Sequence, residues 1–343
     1  MIRKISLLLN KVNFVRKSLE PFLVGIEPLA SKIIKNRLII LYAHLYPDND
    51  SPLDIGNITE NLRYLNGECQ VLPLPDALNR IFKGHELPPR AVSIIIDDAT
   101  QSFYRVGRDL LSEADLPYTL AVIPGLIKAE GKEHLIARLM RIAGHPYWLS
   151  NQEMLDRTIA WFGEPSLNGT ATFESVFSIA SNTKYDELVK LLDHVRALDH
   201  DFMTWGELKD LQSEDKVNFA SHTMSHPQLQ YASGKWLDWE LSRSKEMLEE
   251  NLGVIVDSLV VPYGNHTHFS LNVEQALSKT GYKSAFLTEK GVFGSGMPQY
   301  RIPRLPLEDD SWRLHIHTCP AVCSLLYPGS NQRKRRKQQY LSI

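Results

Sequence analysis

Short apolar runs alternate along this chain with stretches of helical spacing, the pattern of parallel βαβ construction. Arg37 to Tyr42, Ala91 to Ile96, Thr119 to Ile123, Val217 to Ser221 and Leu259 to Val261 read as strands. The run AVSIII at Ala91 to Ile96 is β-branched and apolar on both faces, as a buried parallel strand requires. Lys235 to Leu252 reads as a helix closed by Gly253, and Asn272 to Thr280 as another closed by Gly281. Thr204-Trp205-Gly206-Glu207 has the form of a capping box and predicts a helix start leading to the Val217 strand. Leu126 to His200 stands out as an insertion between strands, with helical stretches around His134 to Ile142 and Tyr185 to Leu198. No internal repeat interrupts the pattern.

Polar chemistry collects at the ends of these strands. Ile96 is followed by Asp97 and Asp98, and neighbouring strand positions point to opposite faces, so the two carboxylates can take different tasks. An Asp-Asp pair alone is equally at home as a loop start or a helix cap. Ser221 is followed by His222 and, four residues on, by His226, a spacing at which two imidazoles can meet one metal if the intervening residues coil. Pro227 biases His226 away from the α region and predicts a tight turn rather than a helix. Val261 runs into Pro262-Tyr263-Gly264, in isolation an ordinary strand-to-turn signal.

In this order, Asp97-Asp98, His222-x-x-x-His226 and Pro262-Tyr263-Gly264 resemble the polysaccharide deacetylase family, also called the NodB-homology or carbohydrate esterase 4 family. The resemblance runs from about Arg37 to about Leu307, and the stretch from Phe202 to Pro227 is its most specific part. It implies a distorted (β/α) barrel of fewer than eight strands with a helical insertion, and metal-dependent hydrolysis of an acetyl group from an N-acetylated amino sugar. Carried over by motif, Asp97 is the general base, and Asp98, His222 and His226 hold a divalent metal. That metal is expected to be Zn2+, with Co2+, Ni2+ or Mn2+ as alternatives. The Pro262-Tyr263-Gly264 turn would serve the substrate oxyanion. Three protein ligands leave open positions for water and a carbonyl oxygen, as such a hydrolysis needs.

A general acid must still protonate the leaving nitrogen. The strand from Arg37 ends in Tyr42-Ala43-His44, and it resembles the N-terminal strand of circularly permuted members, so His44 is the expected acid. His315 and His317, in an alternating Leu-His-Ile-His that suits a half-exposed strand, compete for the role, and His266 and His268 follow the Pro-Tyr-Gly turn. Two departures from the family pattern stand out. Ala99 occupies a position that is often glycine, and Val260 stands where an arginine usually orients the base. Arg301 or Arg304 is a candidate replacement cation, or both are simply surface charges.

Length and composition agree with one barrel-sized domain: 343 residues, 43% hydrophobic. The expected organisation is an amphipathic leader helix over 1–36, a barrel over 37–320 with its insertion at 126–200, and a basic tail over 321–343. A formal net charge of -2 gives no reason to propose nucleic acid as a partner. The three cysteines form neither a disulfide framework nor a Cys-x-x-Cys site, which suits a reducing compartment. The longest apolar run of the first 36 residues, Ile5 to Leu9, is too short for a secretory or membrane-spanning segment, so a cytoplasmic location is expected. The leader helix and the cluster Arg333 to Lys337 leave peripheral membrane contact open. Oligomeric state has no signature here. Tyr147, Trp148, Trp161 and Phe162 in the insertion suit either sugar stacking or packing within a lid, and a lid would favour a small or carrier-linked sugar. An O-acetyl esterase, a non-sugar amide hydrolase and a non-catalytic glycan-binding scaffold are the competing functions.

Overall fold

The computed structural model describes residues 25, 35–44, 55–127, 131–143, 173–193, 202–265, 269–307 and 311–327. All but residues 25, 35 and 36 of the expected leader lie outside this set, as do His266, His268, the insertion aromatics at 147, 148, 161 and 162, and the basic cluster at 333–337.

Ten strands form one sheet: β1 (Arg37–Ala43), β2 (Gln70–Val71), β3 (Ala91–Ile96), β4 (Tyr118–Val122), β5 (Val217–Ser221), β6 (Ser258–Val260), β7 (Ser284–Leu287), β8 (Phe293–Gly294), β9 (Ile302–Pro303) and β10 (Leu305–Pro306). Eight of them follow in the order β10-β1-β3-β4-β5-β6-β7-β9, with β2 beside β3 and β8 beside β1. Every pairing is parallel except that of β8 with β1. The two ends of the path, β9 and β10, are separated in sequence by Arg304 alone. One kinked segment therefore bridges β7 to β1 and nearly closes the barrel, the distorted TIM-like form expected, with eight strands on the path instead of fewer than eight because this last segment is broken into β9 and β10 at Arg304.

Strand alternation sorts the apolar residues into two cores. Leu38, Ile40, Ala91, Ile95, Ala121, Ala220, Val260, Phe286 and Ile302 pack with Leu74, Ala77, Leu78 and Ile81 of the helix Leu74–Phe82, filling the barrel interior. Ile39, Leu41, Val92, Ile94, Ile96, Leu120, Val122, Leu259 and Leu287 instead face the surrounding helices. Extending the first set to the carboxyl ends places Tyr42, His44, Asp97 and His222 on the inward parity, so strand period alone delivers polar groups to one mouth of the barrel.

The predicted helix signals hold with small shifts. Glu207 and Thr204 make both bonds of the capping box ahead of Trp205–Gln212. Gly253 and Gly281 terminate their helices at φ 66° and 85°, left-handed conformations that glycine adopts without strain. Within the insertion, the described helices are Lys132–Ala143, Phe173–Asn182 and Tyr185–Asp193. The segment around Leu314-His315-Ile316-His317, expected as a half-exposed strand, is instead the helix Ser311–His317, which lies against Ile55–Glu68 and stacks His315 on Tyr64 at 3.9 Å. Four alternating residues are too few to separate a period of 2 from one of 3.6. The helix Pro320–Leu326 carries the fold past the expected tail boundary at 321, because Val322 and Cys323 are buried. Among the described residues no helix is long and apolar enough to cross a membrane.

The insertion is locked to the carboxyl end of β4 through the turn Pro124–Leu126. A Cβ at Gly125 would lie 2.4 Å from the Met224 carbonyl oxygen and 2.5 Å from the Ala137 Cβ, so the insertion helix, this turn and the histidine loop meet where only glycine fits. Gly125→Ala is expected to cost roughly 1–3 kcal/mol by overpacking. Urea unfolding should show a lower midpoint at unchanged slope.

Candidate metal centre

Each functional side chain sits just past a strand whose last ladder bond fixes it. The Asp97 amide donates to the Ala43 carbonyl at 2.9 Å, continuing the β1–β3 ladder by one residue, and the His222 amide donates to Val122 at 2.7 Å, doing the same for β4 and β5. Past these points the backbone turns sharply. Asp98, Ala99, Thr223, His226 and Tyr263 all have positive φ, between 52° and 78°. Left-handed backbone costs a non-glycine residue about 1–2 kcal/mol, so this concentration marks strain stored at the mouth of the barrel. Asp98 follows an inward residue and by simple alternation would face out; its φ of 78° marks the turn that lets it share the mouth with the histidines.

Three groups converge there. His222 Nε2 and His226 Nε2 lie 3.5 Å and 3.6 Å from Asp98 Oδ1. One donor atom from each residue falls within 4.8 Å of the others. Asp98 Oδ1 is buried without a hydrogen-bond partner. A tetrahedral cation with bonds of 2.0–2.2 Å holds its ligand atoms roughly 3.4 Å apart, so these separations and that orphaned oxygen fit a metal ion. The donor set of two imidazoles and one carboxylate is likewise that of zinc and its neighbours.

Electrostatics favour the ligand forms of both rings. Burial lowers the His222 pKa against the opposing pull of Asp97 and Asp98. Burial, reinforced by His222, Arg141 and His44, lowers that of His226 well below the usual imidazole value. His222 Nδ1 lies 2.7 Å from the Val260 carbonyl, a partner that fixes the tautomer leaving Nε2 for the cation. His226 Nδ1 is buried without a hydrogen-bond partner.

Asp97 stands apart from the three. Its oxygens accept from Arg304 Nη1 at 2.8 Å and 3.0 Å, and both side chains are almost wholly buried. Burial pushes the Asp97 carboxyl up, but Arg304, then His222 and His44, outweigh it and hold the pKa below the ordinary value. Arg304 also lies over the Tyr42 ring at 4.7 Å. Of the two candidate cations, Arg304 is therefore the one at the site, while Arg301 pairs with Glu274 at 3.3 Å and packs on Phe269.

His44 Nε2 lies 3.9 Å from Asp98 Oδ2, its side chain 43% exposed at the rim. His315 stacks on Tyr64, and His317 Nε2 lies 3.2 Å from the Tyr327 hydroxyl, so neither joins the cluster through these contacts. In the Pro262-Tyr263-Gly264 turn, the Tyr263 ring meets His226 edge-on at 4.8 Å and burial pushes its hydroxyl up to about 12. Thr288 pins this turn, donating from its hydroxyl to Tyr263 O at 3.1 Å and from its amide to Gly264 O at 2.7 Å.

A residue that sequence reasoning missed is Glu240, fully buried in the π-helical turn Trp239–Arg243. It accepts from the amides of Met224 and Ser225, the Ser225 hydroxyl and Trp236 Nε1, clamping the loop between the two histidines. Burial drives its carboxyl up to about 7 despite four donors. A glutamate within a helix carries no local sign of such a role. Arg141 and Phe202, also unflagged, lie close by, the guanidinium carbon 5.2 Å from the ring centre.

Comparison with known proteins bears on the fold and the family resemblance. The sequence profile of the polysaccharide deacetylase family matches residues 167–285. A search of curated proteins finds no match. Among solved structures, the fold is similar to the Streptococcus pyogenes deacetylase PplD in complex with acetate, at TM-score 0.51 and 15% identity, covering 80% of this chain and 92% of that one. IcaB from Ammonifex degensii aligns at TM-score 0.53 and 15% identity, covering 85% and 97%. BC0361, a polysaccharide deacetylase from Bacillus cereus, aligns at TM-score 0.53 and 14% identity, covering 83% and 69%.

The Asp97–Arg304 pair yields a stability test. Arg304→Met strands a buried carboxylate and is expected to cost about 3–5 kcal/mol. Adding Asp97→Asn should recover part of that loss, giving a coupling of more than about 1 kcal/mol in a double-mutant cycle read by chemical denaturation.

Proposed function

We propose that this chain, whose residues 167–285 match the polysaccharide deacetylase model, is a member of that family and a metal-dependent hydrolase that removes the acetyl group from an N-acetylated amino sugar, in a glycan or its carrier-linked precursor. The observation that carries this reading is the convergence of Asp98, His222 and His226 on one point. Beside it, Asp97 is held as a carboxylate by Arg304. The N-terminal β1, lodged between β3 and the C-terminal β10 with His44 at its end, supports the circularly permuted arrangement.

Asp98, His222 and His226 would hold the cation, most simply Zn2+. When bound, such an ion supplies Lewis acidity toward the acetyl carbonyl and makes water easier to deprotonate. Asp97 takes the water proton: its ion pair with Arg304 keeps it ionised at neutral pH and fixes where its oxygens point. The rigid Pro262-Tyr263-Gly264 turn is assigned to the carbonyl oxygen as its charge develops. His44, at the rim and open to solvent, delivers a proton to the departing amine and can be reprotonated from bulk water.

Metal analysis of the purified protein together with acetate release from N-acetylhexosamines tests the assignment. Asp97→Asn should keep about one equivalent of metal while losing a factor of roughly 10²–10⁴ in kcat. Alanine at Asp98, His222 or His226 should lose the metal itself. His44→Asn should lower kcat at least tenfold and His315→Asn should not. Full turnover in the Asp97 variant, or metal retained after two ligand substitutions, would remove the basis of the proposal. O-acetylated sugars run beside the amides decide between esterase and amidase, and glycan binding without turnover by the metal-loaded wild type would identify a scaffold.

A further inference from the structure

One helix of the insertion brings a cation to the neighbourhood of the candidate metal centre. Arg141 lies in the helix Lys132–Ala143, whose Ala137 meets the turn at Gly125, which in turn abuts the Met224 carbonyl between the two histidines. Its guanidinium carbon lies 5.2 Å from the centre of the Phe202 ring. Phe202 bridges to Thr100, and the next residue, Met203, donates its amide to Ala99 at 3.1 Å, so this ring is joined to the loop that carries Asp97 and Asp98. The charge of Arg141 is felt at both His226 and Tyr263.

Among the described residues, two hydrogen-bond positions in this neighbourhood have no partner. Arg141 Nη1 and His226 Nδ1 are each shielded from solvent and have no hydrogen-bond partner there. A histidine that gives Nε2 to a cation must carry its proton on Nδ1, which makes this second atom a donor as well. A buried donor without an acceptor costs about 1–3 kcal/mol, more when charged, so two of them in one neighbourhood call for an acceptor that the described residues do not supply. The aromatic face of Phe202 partners the guanidinium but does not satisfy Nη1.

We propose that Arg141 selects a substrate bearing an anionic group, a phosphate ester or a carboxylate, on or next to the N-acetylated sugar. This rests on the deacetylase reading and narrows its substrate class: a neutral homopolymer of N-acetylhexosamine would leave the guanidinium edge unfilled, whereas a sugar phosphate or an acidic sugar would satisfy it. Charged hydrogen bonds are the stronger kind, so the discrimination should be large.

The test compares three probes on the metal-loaded full chain: N-acetylglucosamine 1-phosphate, N-acetylmuramic acid and the neutral methyl N-acetylglucosaminide. Calorimetric affinity and acetate release are measured in the same samples. At least one anionic probe is expected to bind about tenfold or more tighter than the neutral one, and the two charged arms identify whether phosphate or carboxylate is preferred. In Arg141→Gln the anionic-to-neutral ratio should fall to within about twofold. Arg141→Lys, which keeps the charge, should retain part of the preference, and unchanged metal content verifies that either variant is folded. Equal affinity for charged and neutral probes, or a preference that survives Arg141→Gln, overturns the proposal. Acetate released equally well from charged and neutral sugars overturns it too. A preference lost in Arg141→Gln, with no acetate from any sugar, upholds anion selection and sinks the deacetylase reading instead.

Discussion

The ion pair between Asp97 and Arg304 is the constraint on which the site depends, because it joins the barrel's closure to its chemistry. Arg304 is the one residue between β9 and β10, the strands that end the path around the barrel. Its guanidinium holds both oxygens of Asp97, the inward-facing residue that follows β3. Removing two charges from water is costly, and the pair is tolerable only because geometry and neighbours compensate. A carboxylate stranded there alone would take up a proton and could not serve as the proposed base. Closing the barrel at its seam and keeping a buried carboxylate ionised are thus the same interaction.

Around that pair, stability is exchanged for placement. The cluster of left-handed residues at Asp98, Ala99, Thr223, His226 and Tyr263 would unwind if left to local preference. Contacts of high sequence separation hold it: Glu240 across the histidine loop, Thr288 across the Pro-Tyr-Gly turn, and the Val260 carbonyl against His222. Each is buried or partly buried, where a hydrogen bond faces little competition from water. The strain is therefore met by several elements, and no single loop sets the ligand positions.

Much of this was legible in the sequence wherever the signal was local. Strand runs ending in Asp97, His222 and Pro262 could be read because a buried parallel strand has a composition of its own, and the capping box at Thr204 because its two bonds span three residues. Arg304 was only half legible. Arginine among prolines near a C-terminal strand looks like surface charge, and its partner is 207 residues away. Glu240 and Arg141 lie within helices as ordinary charged residues, and the burial of Glu240 and of Arg141 Nη1 follows from packing that no periodicity shows. The helix Ser311–His317 was misread as strand, since its alternating stretch is shorter than one period test needs and its tertiary contact with Ile55–Glu68 decided the matter.

The position of Val260 in this chain bears on why the cation beside Asp97 comes from elsewhere. Val260 is inward-facing and fully buried among Ile40, Ala220 and Phe286, deep in the apolar interior of the barrel. An arginine there would have to bury its charged head in that core or displace the His222 contact made by the residue's own carbonyl. Arg304 avoids both costs. It enters at the seam, where β9 and β10 are short and the ladder is interrupted by one residue, and reaches Asp97 from two strands away, past β1. A positively charged group is needed beside the carboxylate, but its strand of origin is free, provided the chain there is discontinuous enough to admit it. A barrel seam closed by a strand broken at one residue is such a place, so the irregularity of the fold and the electrostatics of Asp97 have a common origin.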